Sequence, residues 1–326
     1  MSGHHDKPAK PDVSGMLPLD DGHQMYWEQW GNPDGQPVMY LHGGPGGTLG
    51  ASGYRHRWDL GRTRLVAFEQ RGCGRSTPSA ANPLVPLSDF TMAKLISDIE
   101  RLRRSLGIKQ WVLNGVSWGS TLALSYAQAH PERVSGLVLF AVTSTSEAEV
   151  RWITETVGAV FPEAWDEFAS FAEIHHPSYT RGSGRIVKAY ADLLASPDGQ
   201  LRDAASQAWA LWEDTHVSLG RDPVVRDPRW DDARFRQAFA RLTTHFWSHA
   251  GFNDPPLLER MDRIEHLPGI LVHGRQDVSG PLRTAWELHR RWPGSQLVIC
   301  EHDGHGGEQM TAHWESANNT MLDRLS

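Results

Sequence analysis

The sequence predicts an α/β protein: a mostly parallel sheet covered by helices on both faces, with one long helical insertion. Three observations predict it. Short continuous apolar runs alternate with segments of helical period, the pattern of strands buried on both sides. That alternation stops near residue 143 and returns near 249. The stretch between reads as helical and carries six of the fourteen tryptophans, Trp152, Trp165, Trp209, Trp212, Trp230 and Trp247.

Each element follows in order. Residues 1–14 are expected to be a flexible tail, and the pair His4-His5 within it is weak evidence for a metal. MLPLDDGHQMYWEQWG (16–31) predicts a hairpin turning at Asp21-Gly22. PVMYLHGG (37–44) is a short strand running into a glycine-rich loop, and RLVAFEQRG (64–72) is another strand. Residues 88–107 predict a helix through the spacing of Ala93, Leu95, Ile96, Ile99, Leu102 and Leu106, with Asp89 or Thr91 as its cap. QWVLN (110–114) and VSGLVLFAV (134–142) are further buried strands. EAEVRWITETVGAVF and LRDAASQAWALWEDTHVSL carry the helical pattern of the insertion, and RDPVVRDPRWDD (221–232) reads as a charged loop. A strand returns at GILVHGRQD (269–277), then a helix over about 281–292, then SQLVICEHDGHG (295–306) and a last helix. The division predicted is a core of 15–142 and 249–326 with a helical cap of 143–248.

Composition narrows the function. The 326-residue chain has a net charge of −7 and 39% hydrophobic residues, as expected of a globular protein without a nucleic-acid partner. No run approaches the ~18 apolar residues of a membrane span. The first residues lack the apolar stretch of a secretory signal. Cys73 and Cys300 make no disulfide framework, so the setting expected is the cytoplasm. Neither a metal nor another cofactor is called for, since the histidines, including His175-His176, lack a ligand pattern.

The chemistry centres on GVSWGS (115–120). Its Gly-x-Ser-x-Gly core lies between a predicted strand and a predicted helix, the setting of a nucleophile elbow. Ser117 needs a base, and the base needs an orienting acid. In the order expected of an α/β-hydrolase, Asp277 ends one strand and His305 follows the next, both at carboxyl ends where open sheets place their sites. The rivals are weaker: Asp303 is only two residues from His305, and His302 lies close to a strand end. The anion formed on attack needs preorganised donors. The N–H of Trp118 is one, and Gly43 or Gly44 of LHGGPGG (41–47) supplies the other. That loop lacks the features of a phosphate-binding loop.

Together HGGPGG (42–47), EQRGCGRS (69–76), GVSWGS, GRQD (274–277) and DGHGG (303–307) resemble the proline iminopeptidase family of α/β-hydrolases over nearly the whole chain, from about residue 16. The resemblance implies serine peptidases that remove an N-terminal proline, a helical cap over the site, and the triad Ser117, Asp277 and His305. It also implies that Glu213, in ALWED, holds the substrate's free amine. The family has a second glutamate in a stretch like RIENHYF, where this chain reads RLTTHFW (241–247) and has Thr243. Where the family tends to have RGIF, this chain has FAVT (140–143). EQRG replaces DQRG, and Val116 stands where the family has glycine.

Thr243 can accept a hydrogen bond but carries no charge. Either Glu213 alone holds the amine in a wetter site, or the substrate presents no amine there. Trp212 and Trp247 are candidates for an aromatic pocket, with Trp209 beside them, although tryptophans at helical spacing also serve packing. Cys73 lies near the site without a base of its own. The activity expected is a serine hydrolase cleaving a small amide or aminoacyl bond through an acyl-enzyme. Alternatives on the same scaffold are an amidase or esterase, a transacylase, or a receptor that binds without turnover.

Overall fold

The computed structural model describes residues 10–50, 53–219 and 224–326. Its centre is one eight-stranded sheet of order β1-β2-β4-β3-β5-β6-β7-β8. The strands are β1 (Val13–Pro18), β2 (Gln24–Gly31), β3 (Gln36–Leu41), β4 (Thr63–Phe68), β5 (Trp111–Val116), β6 (Val134–Phe140), β7 (Gly269–Gly274) and β8 (Ser295–Cys300). β1 and β2 form the expected hairpin, and β2 pairs antiparallel with β4. β3 to β8 run parallel. The expected tail and its His4-His5 pair lie outside the described residues up to residue 9, whereas Val13 and Ser14 already belong to β1.

Alternation along each buried strand fills two cores. Leu113, Leu137, Leu139 and Leu271 face α1 (Met92–Ser105), α2 (Trp118–Ala129) and α8 (Leu282–Arg290). Val112, Val138, Ile270 and Val272 face α9 (Glu308–Leu325), through Met310, Trp314 and Met321. Both faces are therefore apolar, which is why the strands read as continuous runs. Thr91 caps α1, accepting from Lys94 N, and so settles the choice of cap.

Between β6 and β7 lie α3 (Glu147–Thr154), α4 (Pro162–His175), α5 (Ile186–Leu194), α6 (Gly199–Val217) and α7 (Ala233–Ser248). They bury a core of their own around Phe168, Tyr190, Trp209, Trp212 and Trp230. Aromatic stacking holds it, with Phe168 against Tyr190 at 4.3 Å and against Trp212 at 5.3 Å. Most of the insertion's tryptophans serve this packing. Among the described residues no helix is long and apolar enough to cross a membrane.

Candidate active site

β5 delivers Ser117 into a sharp turn. Its φ of 55° and ψ of −122° lie outside the ordinary regions for a side-chain-bearing residue. The flanking glycines make the turn possible. A Cβ on Gly115 would come 2.4 Å from the Gly119 carbonyl oxygen, and one on Gly119 would come 2.0 Å from that of Leu41. Ser117 stands at the N-terminal end of α2 but makes no side-chain cap bond, which leaves Oγ for other work. The positive end of that helix favours negative charge beside the serine.

His305 and Asp277 meet Ser117 from the ends of β8 and β7. His305 Nε2 is 3.0 Å from Ser117 Oγ, and His305 Nδ1 is 2.8 Å from Asp277 Oδ2. Asp277 is fixed through its other oxygen, which accepts from the Ser279 and Gly280 N–H groups at 2.9 and 2.8 Å. Burial alone would raise the Asp277 pKa, but the His305 imidazole and these donors outweigh it and hold the carboxyl below its ordinary value. Burial likewise disfavours a charged His305, yet the Asp277 carboxylate, with Glu213 behind it, wins and raises its pKa. A neutral imidazole tied this way can take a proton from Oγ and later return it to a leaving group.

The rivals fall away. His302 is exposed, and Asp303 accepts from Met310 N at 2.6 Å, fastening the start of α9. Cys73 is buried, with its thiol held well above the ordinary range by desolvation, and is chemically quiet.

Gly44, Trp118 and His305 line the chamber around Ser117, and Gly43 lines the wider mouth beside it. The Trp118 indole points away: it donates to Gln70 Oε1 at 2.9 Å and packs on Phe246 of α7. Its backbone N–H, in the first turn of α2, is one of the helix-start donors that lack a partner within the helix.

The chamber lining also includes Glu213 of α6. Glu213 is buried, at 8% exposure. It accepts from Trp209 Nε1 at 3.0 Å. Desolvation raises its pKa to about 7, against the pull of Trp209 and His305. Trp247 reaches the same chamber from α7.

Two expected contacts are corrected. Thr243 is fully buried outside the chamber, and its Oγ1 donates to the Pro45 carbonyl at 2.8 Å. One turn back from Trp247, that helix face presses on the glycine-rich loop rather than on open space. Trp212 is 2% exposed, donates to the Ile153 carbonyl and stacks in the insertion's core, so it does not reach the chamber.

Several lining residues escape a reading of the sequence. The segment after β6 bends back through positive φ at Ala141 and Thr145. This brings Thr143 Oγ1 to donate to the Ser117 carbonyl at 3.0 Å and sets Thr143 and Thr145 in the chamber wall. Glu149 also lines it, but Ser144, Ser146 and Thr284 saturate its carboxylate. His216 and Ser279 complete the wall beside Glu213. Only the three-residue step from Glu213 to His216 signals, in sequence, that the two share a helix face.

Residues 36–307 match the family model described as alpha/beta hydrolase fold. A proline iminopeptidase of Arabidopsis thaliana is 40% identical over 96% of this chain and 81% of its own length. A probable proline iminopeptidase of Streptomyces coelicolor is 42% identical over 91% and 90%. Among solved structures, VinJ superposes with a TM-score of 0.68 at 20% identity, covering 97% of this chain and all of that one. An esterase from Exiguobacterium antarcticum gives 0.58 at 19%, covering 96% and 99%. These two likenesses speak to the fold alone.

Proposed function

The chain belongs to the proline iminopeptidase family of α/β-hydrolases, and from that premise we propose that it releases an N-terminal residue, proline foremost, from small peptides through an acyl-enzyme on Ser117. One observation carries the mechanism: the continuous hydrogen-bonded run from Asp277 through His305 to Ser117 opens into the chamber that also holds the Glu213 carboxylate.

In this reading Ser117 Oγ attacks the carbonyl carbon of the first residue while His305 Nε2 takes its proton. Asp277 keeps the imidazole in the required tautomer and balances its charge. The tetrahedral oxyanion accepts from the Trp118 N–H and from the N–H of Gly43 or Gly44. His305 then gives the proton to the departing amine, and the C–N bond breaks. Water, deprotonated by the same imidazole, hydrolyses the ester and frees Ser117. Glu213 pairs with the free α-amine and so admits only the chain's first residue.

The chamber, of about 60 Å³, opens beside Ser117, Glu213 and His305 into a mouth of about 570 Å³. The helices between β6 and β7 act as the cap over it, as the chamber lining from α3, α6 and α7 supports. We assign the protein to the cytoplasm, a reading supported by two buried free thiols.

The test is a panel of prolyl, alanyl and bulky aromatic anilides, each with a free and an acetylated N-terminus. Fast cleavage of the free prolyl compound, abolished in Ser117→Ala, is the expected result. Preference for acetylated or bulky compounds, or cleavage of esters alone, would sink the assignment.

A further inference from the structure

We infer that His216 is a specificity-determining residue, its Nε2 and the Glu213 carboxylate together seating the protonated α-amine of the substrate. The inference rests on the aminopeptidase reading above and adds a residue to it.

His216 lies one turn after Glu213 on α6, is 2% exposed and lines the chamber with Ser117 and His305. Its Nδ1 is 2.8 Å from Ser279 Oγ. Its Nε2 is buried without a hydrogen-bond partner and stands 3.5 Å from Glu213 Oε2. That separation exceeds the usual N–H···O range. A buried polar nitrogen left unpaired is costly unless a ligand supplies the partner.

The charge is right for an ammonium. The chamber's described lining includes no lysine or arginine. Burial keeps His216 neutral, with its pKa pushed down to about 3, so it does not repel a cation. With the Nδ1 hydrogen donated to Ser279 Oγ, Nε2 presents a lone pair. An ammonium has hydrogens for both Nε2 and Glu213 Oε2. One carboxylate and one neutral acceptor then neutralise the amine without leaving surplus negative charge beside His305.

The anchoring also sets distance. Ser279 N donates to Asp277 Oδ1, so the loop that holds the triad acid also holds His216. The amine seat and the reacting serine are thereby fixed to one frame.

The experiment compares prolyl anilide with p-nitrophenyl acetate, which carries no amine, in the wild type, His216→Phe and His216→Gln. Phenylalanine removes both nitrogens, whereas glutamine keeps an acceptor near the Nε2 position. His216→Phe is expected to lower kcat/KM for prolyl anilide at least 30-fold more than for the ester, chiefly through KM. His216→Gln is expected to recover at least a third of that loss on a logarithmic scale. Equal losses on both substrates, or no loss, or a glutamine variant no better than phenylalanine, overturns the inference. Should His216→Phe not fold, Ser279→Ala tests the anchoring: KM for prolyl anilide is expected to rise more than kcat falls, and the opposite pattern overturns it. A wild type that cleaves free and acetylated prolyl anilides alike defeats the aminopeptidase reading and this one with it. A wild type that prefers the free amine, with His216→Phe preferring it as strongly, defeats this one alone.

Discussion

Thr243 Oγ1 donates to the Pro45 carbonyl across 2.8 Å and so ties α7 to the glycine-rich loop. Both residues are buried. Thr243→Val keeps the shape but leaves the Pro45 oxygen without this donor. A loss of about 1–3 kcal/mol in unfolding free energy is expected, read from urea denaturation. The loop carries Gly43 and Gly44, so kcat should fall as the loop loosens. Preference for free over acetylated substrates should persist, because the threonine does not reach the chamber. A variant that lost this preference at unchanged stability would restore Thr243 to the amine site.

This bond marks where sequence reading stops. Stretches such as LVLF of β6 and GILV of β7 are legible because burial on both faces removes any need for polar residues. The elbow is legible because a backbone approach as close as Gly119 to Leu41 admits no side chain. Ser117, Asp277 and His305 are legible because strand ends fix where they meet. The wall supplied by the inserted helices is different. Glu213, His216, Trp247 and Thr243 sit on helices whose packing against each other sets which residues face inward. The family resemblance therefore points to Glu213, which lines the chamber, and to Thr243, which does not; helical spacing suggests Trp212, which packs elsewhere, and no motif singles out His216, which lines the chamber too.

Asp277 binds two backbone N–H groups through one oxygen and His305 through the other. In Asp277→Asn, an amide keeping its oxygen on the backbone donors turns its NH₂ toward His305 Nδ1. The imidazole must then carry its hydrogen on Nε2 and cannot accept from Ser117. A fall of about 10⁴-fold in kcat is expected by analogy with other triads. Circular dichroism should show the fold retained. A loss under tenfold would remove Asp277 from the mechanism.

The pH response follows from His305. Its raised pKa moves the acid limb of kcat/KM above the ordinary imidazole value of about 6.5. Stability responds with the opposite sign. A raised imidazole pKa contributes stability that is complete below the unfolded value and lost as pH rises through the folded one. The depressed Asp277 pKa contributes stability above the unfolded value that is lost as pH falls through the folded one. Relative to His305→Gln, the wild type should therefore gain most stability between the carboxylate and imidazole ranges. Urea midpoints at a series of pH values check this, and a flat difference would contradict it.

Glu213 offers the most demanding prediction, because function and stability should move apart there. Desolvation raises its pKa from 4.5 to about 7. The groups facing it are Trp209 as a donor, neutral His216, His305, and Asp214 beside it on α6. Between those two pH values the folded chain binds more protons than the unfolded one, so stability declines as pH rises. At about 1.4 kcal/mol per unit, the ionised carboxylate costs roughly 3 kcal/mol above pH 7. Glu213→Gln should regain much of that at pH 8 and little at pH 4, measured by urea unfolding at both. On the proposed reading the same variant loses the charge that pairs with the amine, and losing one partner of a buried ionic site costs about 3–5 kcal/mol. Its kcat/KM for prolyl anilide should fall at least about 100-fold, and far less for p-nitrophenyl acetate. In the wild type, amine binding needs Glu213 ionised and the substrate amine, of ordinary pKa about 8, still protonated. Prolyl anilide should thus show a narrow optimum between about 7 and 8, whereas the ester should keep only the acid limb. A glutamine variant less stable than the wild type at pH 8 would overturn the raised Glu213 pKa, and an ester profile as narrow as the anilide's would show that Glu213 does not carry the amine's countercharge.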